Sequence, residues 1–513
     1  MTQLSKSGIV VSAHSIASLA GAKILRAGGN AVDAAIATSL MLGVVEPAFS
    51  GIGGGGLALI HTASGKTVAL DYRETAPLAV KPDVFVGDGK GKNSRGPLSV
   101  ATPGLLSGHM RMLEEYGTMS YKGVARPAVE AAGSGLACER ASETVLAENR
   151  NGTLEKIRAY EETMRTFTSG GNGRRGSMPA LADTMKMLSE DGGTGFYSGS
   201  IPREISTFVT RLGGLLSEDD FGKYESKWRE PVEETVWGMR VVSMPPPSAG
   251  GTLLLLGLRL LDELGLRQGA SEAQYLGLVS EVLRTVLAER GRFGDPDFVL
   301  SPTVEQLLKR DLRSLSEEIG SKSVHGRRER SVDSPGSTTH FCVADRMGNL
   351  VAATETIECY YGSGITVPRL GVLLNDEMHD FDVATGRPNS VAPGKRPVSS
   401  TCPTIVFKDG SPLLALGGAG SERIISSALQ VILNVTVAQM GLREALAAPR
   451  IHPVGEETLA EGGLSTEAMG PLRGLRQRVG LDMYFGGVQA LKFEDEGVEG
   501  AADPRRLGSA VRA

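Results

Sequence analysis

Cysteine is scarce in this chain of 513 residues: Cys138, Cys342, Cys359 and Cys402 are spread without C-x-x-C spacing, and the seven histidines form no H-x-x-x-H or similar pair. Neither a metal site nor a disulfide framework is legible in that pattern. Basic residues are not in excess either. Lysine and arginine number 54 against 59 acidic residues, a formal charge of −5, so the footprint of a nucleic-acid binder and the acidic tract of a disordered tail are both missing. A small-molecule partner fits this balance better. No run approaches the roughly 18 uninterrupted apolar residues of a membrane span. The N-terminal MTQLSKSGIVVSAHS has one lysine and reaches polar and turn residues before any apolar segment forms, so it does not read as a signal peptide. The expectation is a cytoplasmic protein off the membrane, secreted or periplasmic if a leader had been removed.

Several familiar motifs fail on context. Gly51-Ile52-Gly53-Gly54-Gly55-Gly56 satisfies G-x-G-x-x-G, but a dinucleotide site needs a strand before it and a helix after it, and here the order is reversed. A turn that lets backbones approach closely is the better reading. Gly65-Lys66-Thr67 ends like a P-loop, yet Ile60 stands where its first glycine belongs. No serine carries a G-x-S-x-G elbow. No cofactor is expected.

What is present is a long mixed pattern without internal repeats. Ile9 to Ser12 reads as a strand, and the next 33 residues or so read as two helices broken at Gly28-Gly29-Asn30. Leu57 to His61 and Thr67 to Tyr72 form a hairpin turning at Ser64-Gly65-Lys66. Residues 85–330 are predicted to be largely helical, with polar loops at GDGKGKNSRG and TSGGNGRRGS. A rigid proline turn in VVSMPPPSAGG precedes an apolar helix from Thr252 to Leu264. From 338 onward the pattern changes to short strands and a loop-rich tail. A boundary falls near 337, with strands on either side free to share one sheet.

The chemistry concentrates at that boundary. Thr338 to Ala344 alternates like a strand, Asp345 to Asn349 is a turn, and Leu350 to Ile357 returns. This register sets Thr356 opposite Thr338, with Glu358 two residues further along on the same face. A threonine hydroxyl needs a base beside it, and the smallest available base is its own backbone nitrogen. Cutting between Ser337 and Thr338 frees an α-amine of pKa about 7.7–8.0, able to take the hydroxyl proton.

Read together, STTHFCVADRMGNLVAATETI, NDEMHDF, PGKRPVSSTCPTIV and SGIGGGGLALI with ALDYRETAP resemble the γ-glutamyltranspeptidases (glutathione hydrolases), which are N-terminal-nucleophile hydrolases. ATPGLLSG, FYSGSI, SMPPPSAGG, FGDPDF and ADPRR are further similar blocks. The resemblance runs in order from about residue 8 to 508. It implies an α+β fold, a four-layer αββα sandwich, made as a zymogen. Autocatalytic cleavage before Thr338 gives a large subunit, 1–337, and a small subunit, 338–513, that stay together as one domain. Thr338 is then the processing and the catalytic nucleophile, and Thr356 orients its hydroxyl.

The same resemblance assigns Arg73 of DYRETAP to the substrate α-carboxylate, a bidentate partner suited to a guanidinium. It assigns Glu377 and Asp380 of NDEMHDF to the α-amino group, and Ser399 and Ser400 of PVSS to the carboxylate. Backbone N–H groups of Gly420 and Ser421 form the oxyanion hole. Three departures stand out. Ser421 replaces the usual second glycine; Glu358 replaces the usual asparagine and adds charge near Thr338; and the loop from Asp380 to Ser399 is shorter than in members that carry a lid. His340 reads as a packed, hydrogen-bonded residue, and Cys342 and Cys359 as small buried hydrophobes.

The implied activity is hydrolysis or transfer of the γ-glutamyl group of glutathione or a related amide, through a threonine acyl-enzyme, to water or to an amino-acid or peptide acceptor. Hydrolysis is favoured by the short loop. Two alternatives stay open: an acylase or amidohydrolase acting on another acid amide, such as a cephalosporin side chain or oxamate, and a non-enzymatic protein binding γ-glutamyl compounds or protein partners. Whether the chain forms a higher homo-oligomer is not legible.

Overall fold

Alternate residues of the central strands enter different hydrophobic cores, and this alternation sets the architecture. A computed structural model of the chain describes residues 7–134, 145–168, 178–299, 306, 337–472, 474–478, 485–495 and 497–513. Val10, Phe341, Val343, Val351 and Ala353 pack outward among helices. Their neighbours Ile9, Val11, Cys342, Ala344, Leu350 and Ala352 pack inward against Val242, Ile405, Ala415 and Leu491 of a second sheet. Successive strand side chains point to opposite faces, so sheets that are apolar on both must be covered on both.

Among the described residues the first sheet has seven strands, ordered Ser509–Arg512, Ile9–Ser12, Ser337–Ala344, Leu350–Glu358, Gly55–His61, Thr67–Tyr72 and Lys227–Arg229. The second has six, ordered Gly497–Ala502, Gly487–Glu494, Ser411–Ala419, Thr404–Lys408, Met239–Ser243 and Val232–Val236. Every neighbouring pair in both is antiparallel. Helices Ser15–Arg26, Ala31–Val45, Leu105–Tyr116 and Tyr121–Ser134 cover the outer face of the first sheet. Ala249–Glu263, Glu272–Ala288 and Arg423–Thr436 cover that of the second. The result is the expected four-layer αββα sandwich.

The two N-terminal helices break where the glycines predicted. Gly28 takes φ +95°, and the Asn30 side chain caps the second helix in a capping box with Asp33. Strands from before and after residue 337 share both sheets. Other expectations need correction. Lys227–Arg229, Val232–Val236 and Met239–Ser243 are strands inside the stretch read as helical. Trp237 and Gly238, both at positive φ, supply the hairpin turn between the last two, and Met239–Ser243 pairs on its other side with Thr404–Lys408, far away in sequence. After 338, Arg423–Thr436 and Leu442–Ala447 are helices, the first rich in β-branched residues that suggest strand. The tail expected as loop forms Gly487–Glu494, Gly497–Ala502 and Ser509–Arg512. Cys138, the loop SGGNGRRGS and Pro335-Gly336 lie outside the described residues. Among the described residues no helix is long and apolar enough to cross a membrane.

Candidate active site

The strand register gathers the site at one end of the first sheet. Thr338 pairs with Thr356, Gly55 with Thr356 on the other side, and Gly56 with Tyr72, one residue before Arg73. The glycine run permits this crowding: a Cβ on Gly54 would lie 2.1 Å from the Thr356 carbonyl oxygen. The expected Thr338–Thr356 register is observed. At Ser337 it slips, so that Glu358 faces Ser337, an irregularity of the β-bulge kind.

Hydroxyls fill this bulge. Thr338 Oγ1 donates to Thr356 Oγ1 at 3.3 Å, Thr356 Oγ1 donates to the Ser337 carbonyl, and the Glu358 N–H donates to Thr356 Oγ1 at 2.8 Å. One proton given and two bonds accepted saturate a hydroxyl, so Thr356 is fixed by its three neighbours. The Ser337 hydroxyl donates to the Ala48 carbonyl. Behind Thr338, Arg506 reaches its carbonyl at 3.4 Å, pairs with Glu46 at 3.3 Å and lies 4.0 Å over the Phe49 ring. Glu46 also takes the Thr339 hydroxyl at 3.3 Å. Sequence reasoning gave Glu46 and Arg506 no part; the ADPRR block that holds Arg506 was the available signal.

Arg73 is 2% exposed and sits among carboxylates. Its Nη2 is 2.6 Å from Glu377 and 2.5 Å from Asp380, and its Nη1 is 3.8 Å from Glu74. Glu377 and Asp380 come from one short 3₁₀ turn, Glu377–Asp380. Burial works against the guanidinium charge, but Glu377, Asp380, Glu74 and Glu358 outweigh it and hold Arg73 above its ordinary range. Burial also pushes Glu74 up to about 7 and Glu377 well above the usual carboxylate range, although Arg73 opposes both shifts. Glu74, next to Arg73 in DYRETAP, is a member of this cluster that the sequence reading passed over.

Oxygens of Glu358, Glu377 and Asp380 lie within 4.8 Å of one another, which brings Glu358 into both groups. Ser399 and Ser400 are buried, and each hydroxyl has a protein partner. Ser399 shares a 3.0 Å bond with the Thr401 hydroxyl, and Ser400 accepts from Arg290 at 3.0 Å. Arg290 also pairs with Glu422 at 3.6 Å, linking Ser400 to the Gly420-Ser421 turn. That turn joins Ser411–Ala419 to helix Arg423–Thr436, with φ of +131° at Gly420 and +57° at Ser421. The Arg423 and Ile424 N–H groups donate back to the Gly420 and Ser421 carbonyls at 3.2 and 3.1 Å, which leaves the positive end of the helix dipole beside this turn. His340 is buried between the Thr354 hydroxyl at 2.8 Å and Cys342 Sγ at 3.2 Å, and burial lowers its pKa to about 3. It is a neutral packing residue, as expected.

A four-layer αββα sandwich of this kind defines the N-terminal-nucleophile hydrolases, a class of enzymes. Residues 17–513 match the family model for gamma-glutamyltranspeptidase. The chain is 35% identical over 542 residues to the glutathione hydrolase proenzyme of Bacillus subtilis (strain 168), covering 99% of this chain and 91% of that protein. It is 33% identical over 528 residues to the acylase ACY 1 proenzyme of Pseudomonas sp. (strain SE83), covering 98% and 93%. Among solved structures, cephalosporin acylase from Bacillus halodurans superposes with a TM-score of 0.86 at 25% identity, over 99% of this chain and 96% of that one. The chain belongs to the gamma-glutamyltranspeptidase family. Its family is therefore of the glutathione hydrolase and γ-glutamyltransferase enzyme class.

Proposed function

We infer that the chain is a self-processing γ-glutamyl hydrolase whose nucleophile is Thr338. The observation that carries this reading is the hydroxyl chain from Thr338 through Thr356 to the Ser337 carbonyl. In the precursor, Thr338 Oγ1 attacks the Ser337 carbonyl carbon, and the Thr356 hydroxyl stabilises the negative charge growing on its oxygen. The peptide C–N bond breaks as the Oγ1 proton passes to the departing Thr338 nitrogen, water cleaves the resulting ester to a Ser337 carboxylate and the regenerated hydroxyl, and residues 1–337 and 338–513 remain as large and small subunits with Thr338 carrying a free amine.

In the mature enzyme that amine takes the Oγ1 proton as the hydroxyl attacks the γ-carbonyl, and returns it to the departing amine. N–H groups of Gly420 and Ser421 receive the oxyanion. Arg73, with Ser399 and Ser400, holds the α-carboxylate, while Glu358, Glu377 and Asp380 hold the α-ammonium. Water or an amino-acid or peptide acceptor then takes the glutamyl group. The short loop between Asp380 and Ser399 favours water, glutathione or a related γ-glutamyl amide is the donor, and no cofactor is required.

Intact masses of the protein beside Thr338→Ala test the reading. Two pieces together accounting for the 53.9 kDa chain, the smaller beginning at Thr338, are expected from the wild type, and one whole chain from the variant. A wild type that stays whole on prolonged incubation would refute it. Likeness to two acylases favours a second reading, cleavage of another acid amide. Against it, one guanidinium among four acids leaves negative charge that an ammonium offsets. Hydrolysis of a γ-glutamyl anilide should exceed that of a glutaryl anilide, which lacks the α-amino group; the reverse order selects the acylase reading.

A further inference from the structure

No pair in the sequence has metal-ligand spacing, yet the fold brings Glu358, Cys359 and His379 to one point beside the Thr338 hairpin. His379 Nδ1 lies 3.1 Å from a Glu358 carboxylate oxygen and 3.6 Å from Cys359 Sγ. All three ligand atoms fall within 4.8 Å of one another. In a tetrahedral zinc centre, with metal–nitrogen and metal–oxygen bonds near 2.0 Å and metal–sulfur near 2.3 Å, such atoms stand about 3.3–3.6 Å apart. The two measured separations match that geometry within a few tenths of an ångström.

The backbone explains the convergence. On a regular strand Glu358 and Cys359 would point to opposite faces. Glu358 instead takes φ +75° at the end of Leu350–Glu358, a conformation uncommon for a residue with a Cβ. This breaks the alternation, and the turn Glu377–Asp380 lays His379 against both side chains. Asp376 fixes the backbone there: its Oδ1 accepts the Cys359 N–H at 2.9 Å, and its Oδ2 lies 3.7 Å from Lys156 Nζ. Cys359 and His379 are partly exposed, so an ion can reach them.

We propose that Glu358, Cys359 and His379 bind one zinc-class divalent ion. The Cys359 thiol gives its proton to solvent on binding, thiolate and carboxylate balance the dication, neutral imidazole completes the set, and water takes the fourth position. Sulfur and nitrogen donors select zinc or cobalt over magnesium or calcium. Occupancy draws Glu358 away from Glu377 and Asp380, so the ion weakens binding of a substrate ammonium. That last consequence rests on the γ-glutamyl reading; the site itself does not.

Titration of Co2+ into the wild-type enzyme, Cys359→Ser and His379→Gln, followed by near-ultraviolet thiolate-to-cobalt absorption, tests the site, with Zn2+ stoichiometry measured by equilibrium dialysis. One equivalent and a charge-transfer band are expected for the wild type, no band for Cys359→Ser, and at least tenfold weaker Zn2+ binding for both variants, with far-ultraviolet circular dichroism unchanged. A wild type that binds no equivalent, a band that persists in Cys359→Ser, or variants that bind Zn2+ as tightly as wild type would overturn the proposal. Separately, Zn2+ should raise KM for a γ-glutamyl anilide in the wild type and not in Cys359→Ser. Stoichiometric binding with unchanged KM overturns the competition and leaves the metal site standing.

Discussion

Ser421 has a left-handed backbone that costs a residue with a Cβ roughly 1 kcal/mol, whereas glycine there gives up about 0.5–1 kcal/mol of unfolded-chain entropy. The two effects offset. Ser421→Gly should therefore leave stability within about 0.5 kcal/mol and turnover within a few-fold, because the proposed donor is the backbone N–H. A loss of about a hundredfold in kcat would move that role to the hydroxyl. Glu74 carries a pH signature. Its folded pKa is raised from 4.5 to about 7, so its contribution to stability is full below pH 4.5 and is lost as the pH climbs through about 7. Glu74→Gln should gain on its parent between about pH 5 and about pH 7.5 in urea midpoints, measured in the uncut Thr338→Ala background. A difference that stays flat with pH refutes this assignment. At this scale the motifs made Arg73, Glu377 and Asp380 legible. Glu74 and Arg506 stood in motif blocks, DYRETAP and ADPRR, that did not say what they touch, and Glu46 and His379 take their part from neighbours that only the fold supplies.

The hairpin Ser337–Ala344 with Leu350–Glu358 was readable as an element, since a turn centred on Met347 fixes which residues face each other. The slip at Ser337 was not, because it depends on where the Thr356 hydroxyl finds partners. Thr356→Val keeps the shape and removes three hydrogen bonds at once. A buried polar group left unpaired costs about 1–3 kcal/mol, so processing should slow on the order of a hundredfold, followed as the half-life of the full-length band, while Thr356→Ser should process nearly normally. Processing of the valine variant at the wild-type rate would remove Thr356 from the mechanism. The elements that escaped sequence reading share a cause. Val232–Val236 is short and polar on one side, Met239–Ser243 is a five-residue strand, and Arg423–Thr436 is a helix rich in β-branched residues; tertiary packing decides each of them.

At the scale of the molecule, Ser337–Ala344 and Leu350–Glu358 lie between Ile9–Ser12 and Gly55–His61, and Thr404–Lys408 lies against Met239–Ser243. Both pieces of the proposed cut thus contribute neighbouring strands to both sheets and side chains to the core between them. Cleaved protein should run as one species in size-exclusion chromatography without denaturant; pieces that separate on dilution would contradict this. Shared sheets across residue 337 were expected, but which strands adjoin which was not legible, because pairing between strands distant in sequence leaves no local pattern. The interleaving also bears on inheritance. With the proposed cut, a cell with two alleles of this gene would hold enzymes whose two pieces came from one polypeptide, since a strand in the middle of a sheet does not exchange without unfolding. A defective piece would then not pair with a sound piece from the other allele.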